Sequence, residues 1–64
     1  SHSRYNGWRA AIYVHLGDFE NARIFLKKFR EERPEVETIE DYKKVAPSIC
    51  MDYLVDGLSP IWKD

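Results

Sequence analysis

The chain has one cysteine, Cys50, so no internal disulfide can staple it, and a reducing cytoplasm is the expected compartment. No apolar run approaches the roughly 18 residues that a membrane span needs, so a membrane partner is not expected. The three glycines stand apart at 7, 17 and 57, which excludes a glycine-rich phosphate loop. Histidines are His2 and His15 alone, without Cys-x-x-Cys or His-x-x-x-His spacing, so neither a metal nor any other cofactor is expected. Ser48 and Ser59 have no histidine near them in sequence to activate them, and Cys50 lies in an apolar run where a thiol is inert core. No catalytic residue is assigned. A net charge of -1 supplies no field to gather nucleic acid or an anionic surface.

What is present is enough to fold. Hydrophobic residues make up 44% and aromatics 14%, above what a disordered segment carries. Sixty-four residues allow one domain with a small core, since a chain this short buries only about 60% of its unfolded surface. Ser1-His2-Ser3 reads as a cloning remnant and is left out of fold reasoning.

The apolar periodicity predicts an all-α fold of four helices. In the first, Tyr5, Trp8, Ile12 and Leu16 share one face, and Ala10, Tyr13 and Val14 lie around the other side. Apolar on nearly two faces, this helix is expected to sit between neighbours. Gly17 ends it in the left-handed conformation and Asp18 caps the next. The second helix carries Phe19, Ala22, Leu26 and Phe29 on one stripe, widened by Phe25, until Pro34 removes a backbone donor and stops it. Thr38 is the N-cap of a third helix with Glu40 and Asp41 in its first turn. Its expected buried residues are Ile39, Tyr42 and Val45. Pro47 and Ser48 open a fourth helix carrying Ile49, Cys50, Met51, Tyr53, Leu54 and Val55; Gly57 ends it, with Leu58 folding back. Pro60, Ile61 and Trp62 are expected as an extended tail. The aromatic stripe of Tyr5, Trp8, Phe19, Phe25 and Phe29 reads as core.

The stretch from Arg4 to Pro34 resembles a tetratricopeptide repeat. Ala10 occupies the small position of the first helix and Tyr13 its large aromatic one; Gly17 turns the chain, Phe19, Ala22 and Leu26 form the second helix's buried face, and Pro34 closes the unit. Asn6, Arg9 and Phe29 depart from the pattern. The run Val36 to Tyr42, then Ala46-Pro47, then Tyr53 to Leu58, resembles the tail that closes repeat arrays in bacterial signalling proteins, notably those fused to class III adenylate cyclase domains.

The resemblance implies a helix-turn-helix hairpin over 4–34, a two-helix cap over 35–64, and a non-enzymatic module binding a protein or peptide partner. It further implies an inner, ligand-facing surface at Arg4, Gly7, Ala11, Val14 and His15. Arg23, Lys27 and Arg30 form a basic ridge at i, i+4 and i+7 of the second helix. That ridge reads as a solvated face or as a docking edge for an acidic partner. A small helical DNA-binding domain using the same helix is the alternative function, although nucleic acid needs a stronger positive footprint. Finally, Trp8 and its neighbours on the first helix are expected to support weak self-association about a two-fold axis.

Overall fold

The computed structural model describes residues 3–45 and 52–63, the side chains of Ser3, Arg4, Val45, Asp52 and Tyr53 excepted. The chain is all-α. Helix α1 spans Ser3–His15, α2 Phe19–Glu32, α3 Ile39–Val45 and α4 Asp52–Asp56, followed by a 3₁₀ turn at Ser59–Ile61. Helix α1 thus begins within the segment expected to be a cloning remnant.

The α1–α2 hairpin turns where the sequence says it should. Gly17 has φ +82, a left-handed value that side chains resist, and its amide donates to the Val14 carbonyl at 3.0 Å. Asp18 accepts from the Asn21 amide at 3.1 Å and from its side-chain amide at 2.7 Å, so the first turn of α2 keeps a satisfied donor. At the far end the Arg33 amide closes the last turn on Phe29, after which Pro34 forbids continuation. Asn6 on α1 donates to Glu32 on α2 at 2.6 Å, tying the open end of the hairpin.

The hairpin packs through its smallest side chains. Ala10, Ala11 and Ala22 are fully buried, and small residues let two helix backbones approach closely. Leu26 and Phe29 continue the buried stripe of α2. The C-terminal half then closes over this layer with Val36, Tyr42, Val55, Leu58, Ile61 and Trp62. Tyr42 lies 4.7 Å from the Phe29 ring and 6.4 Å from Trp62, joining α2, α3 and the chain's end.

Capping of α3 is reciprocal: the Asp41 amide donates to Thr38 Oγ1 at 3.1 Å, and the Thr38 amide donates to Asp41 Oδ2 at 3.2 Å. Ion pairing of Lys43 with Asp56 at 2.8 Å holds α3 to α4. Two expectations need correction. Pro60, Ile61 and Trp62 are not an extended tail but a 3₁₀ turn with Ile61 and Trp62 buried, because proline's fixed φ suits a first helical turn and the small core needs their apolar area. Gly57 ends α4 and Leu58 folds back, as expected: the Gly57 amide donates to the Leu54 carbonyl at 3.1 Å, the Leu58 amide donates to Val55 at 2.9 Å, and the Leu58 side chain is fully buried. Tyr5 and Phe19 are exposed rather than core. The expected break at Pro47 and Ser48, and the residues Ile49, Cys50 and Met51, lie outside the described residues.

Candidate functional site

Helix α1 divides its apolar residues between two environments. Gly7, Ala10, Ala11 and Val14 turn inward, whereas Ile12 and Leu16 are 45% and 70% exposed and Tyr5 is exposed beside them. Phe19, just past the turn, is exposed as well. The stripe read from the sequence is therefore real, but it points away from the protein's own core. The small-residue face wins the interior because it admits α2 and the C-terminal elements at short range. Trp8, at the margin, is half-buried and meets Tyr5 edge to face at 5.4 Å.

This arrangement corrects the expected inner surface. Ala11 is fully buried, and Gly7 is covered by the Tyr42 ring: a Cβ built on Gly7 would stand 2.6 Å from Tyr42 Cε2 and 2.7 Å from Cζ. Val14 is half-buried, with its Cγ1 3.5 Å from where a Cβ on Gly57 would lie. The chain's own C-terminal half occupies the place where the resemblance put a ligand. His15 remains exposed at the end of α1. Of Arg4 only the backbone is described.

The basic ridge is also split. Arg23 and Lys27 are exposed, but Arg30 is partly buried, donates to the Trp62 carbonyl at 2.6 Å and stacks over the indole at 5.3 Å. Arg30 is thus a fixed wall rather than a mobile cation. Between α2 and the segment 34–37 a groove of about 460 Å³ opens, with Leu26, Val36 and Ile61 closing its floor and Arg23, Lys27 and Arg30 along one side. Val36 and Ile61 were not singled out as site residues by the sequence reading. Their one signal was an apolar residue two places after Pro34 and another directly after Pro60, which a purely solvated linker does not require.

On the other flank of α2, Phe25 stacks on Tyr13 at 5.5 Å while Arg9 and Lys28 lie 5.8 and 5.2 Å from its ring centre. Those cations are spent on an aromatic face. Among the described residues no group of three or more His, Cys, Asp or Glu is placed to hold a metal ion, and no helix is long and apolar enough to cross a membrane. Comparison with protein-family models, with curated proteins and with solved structures yields no match.

Proposed function

We propose that the chain is a non-enzymatic interaction module that packs the outer face of α1 against a helix of another protein unit. The observation that carries this reading is one-sided burial. One side of the hairpin is closed by the C-terminal half through Tyr42, Leu58 and Trp62, while the opposite face of α1 leaves Ile12 and Leu16 in water. A hairpin sealed on one side and apolar on the other is what the last unit of a stacked helical array requires, since each unit buries its face only against a neighbour. Together with the resemblance over Arg4 to Pro34, this favours a closing segment of a tetratricopeptide-type array in a signalling or regulatory protein. The chemistry of the face suits a helix: apolar side chains at i, i+4 spacing, with His15 exposed at the end of a helix without Asp or Glu.

A second copy of the chain offers the same face and serves as the test. Sedimentation equilibrium over a range of concentrations should show weak self-association, and Ile12→Glu or Leu16→Glu should abolish it without lowering the melting temperature, because both positions are exposed. A parent chain that stays monomeric up to millimolar concentration would remove the physical basis of the reading.

A further inference from the structure

We infer that the groove between α2 and the segment 34–37 binds a short acidic peptide in extended conformation. This surface shares no residue with the α1 face and stands independently of it. Three observations point to that occupant.

The first is charge. Arg23, Lys27 and Arg30 follow one another along the α2 side, and Arg30 is held in place by the Trp62 carbonyl at 2.6 Å and by the indole beneath it. A cation already oriented loses little freedom when it meets a carboxylate, so that end of the ridge is preorganised. Glu31 and Glu37 also border the groove, leaving a positive excess of one unit among its charged residues (three cations less two carboxylates).

The second is spacing. Residues at i and i+4 of a helix stand about 6 Å apart along its axis, and in an extended chain side chains at i and i+2 project to the same side about 6.6 Å apart. Carboxylates on alternate residues of a peptide laid along α2 therefore come into register with Arg23 and Lys27. The residue between them projects to the opposite side, toward Val36 and Ile61.

The third is size. About 460 Å³ lies within the range of pockets that take small ligands, roughly 300–1,000 Å³. It has room for one or two apolar side chains. Leu26, Val36 and Ile61, themselves at most 3% exposed, close the floor beneath such side chains, and Pro34 stands at the rim.

A fluorescein-labelled peptide Glu-Leu-Glu-Leu-Glu-Ser, titrated against the intact chain by anisotropy, tests the assignment. Saturable binding is expected, weakening with added salt, and Arg23→Glu or Lys27→Glu should weaken it about tenfold or more. Both positions are exposed, and an unchanged melting temperature confirms that each variant is folded. The same peptide with glutamines for its glutamates, or with serines for its leucines, should bind at least about tenfold more weakly. Binding that survives both charge reversals, or that fails to saturate, overturns the proposal. Loss of binding in Ile12→Glu but not in Lys27→Glu would place the peptide on α1 and equally overturn it. Decanoate that displaces the peptide and binds more tightly would reassign the groove to a small carboxylate.

Discussion

Tyr42 is fully buried, and its hydroxyl has no hydrogen-bond partner among the described residues. A buried hydroxyl left unsatisfied costs about 1–3 kcal/mol. Burial also pushes the phenol well above its ordinary value of 10.0, because the phenolate would lose its hydration. In the folded chain the proton stays on where the unfolded chain would release it, so the folded state binds more protons above that ordinary value. Stability should therefore fall as pH rises past about 10 and be independent of this group's titration below it. Tyr42→Phe is expected to keep the ring contacts, gain up to about 1–2 kcal/mol at neutral pH, and flatten the alkaline limb of a urea-denaturation series. An equal or steeper alkaline limb in the phenylalanine variant would show that another group governs it. Gly7 is the complement of this ring. Alanine in a helix interior normally gains about 1 kcal/mol over glycine, yet here the added Cβ meets Tyr42 below van der Waals distance. Gly7→Ala should instead cost about 1–3 kcal/mol by overpacking, and a stabilised variant would mean that Tyr42 sits elsewhere.

Helix α3 is seven residues long, too short to persist by propensity, so its caps and its contacts decide whether it forms. Asp41 accepts from the Glu37 amide and from the Thr38 amide, each at 3.2 Å, and the Glu37 contact is the chief reason its carboxyl titrates below the ordinary 3.8. A carboxyl lowered on folding stabilises the folded chain above its unfolded value, and that stabilisation is lost as pH falls through the folded value. Thr38→Ala should cost about 1 kcal/mol, and Asp41→Asn should shallow the acid limb of stability; a melt indifferent to Thr38→Ala would leave α3 held by packing alone. This cap was legible because a hydroxyl three residues before a carboxylate is a local signal that needs no tertiary knowledge. The turn at Gly17-Asp18 and the stop at Pro34 were legible for the same reason. Which face of α1 goes inside was not. Its two apolar faces have the right period, and the choice depends on how closely α2 and Tyr42 can approach, which favours Gly7, Ala10 and Ala11 over the larger Tyr5, Ile12 and Leu16.

At the scale of the molecule, the C-terminal turn locks the fold. Trp62 donates its indole Nε1–H to the Glu37 carbonyl at 2.8 Å, receives the Arg30 guanidinium on its ring and carbonyl, and meets Tyr42 edge on. It thereby joins α2, the linker before α3 and the end of the chain, contacts separated by 25 and 32 residues in sequence. Nothing local in Ser-Pro-Ile-Trp distinguishes such a latch from an extended tail; its burial follows from the shortage of other apolar area in a small domain. The same latch fixes Arg30 and closes the groove with Ile61, so the candidate peptide site exists only when the end of the chain is docked. Small domains are stable by about 0.05–0.15 kcal/mol per residue, and truncating a buried tryptophan costs about 3–5 kcal/mol. Trp62→Ala should therefore remove most of the stability of 64 residues, seen as loss of a cooperative thermal transition by circular dichroism. Trp62→Phe, which refills much of the volume without the indole donor, should retain the transition at lower temperature. The chain has two tryptophans, so Trp8→Phe leaves Trp62 as sole reporter, and its emission should be blue-shifted and poorly quenched by acrylamide until the protein melts. If Trp62→Ala melts like the parent, or if the Trp62 emission is already that of a solvated indole, the terminal turn is not part of the core and the groove loses its floor.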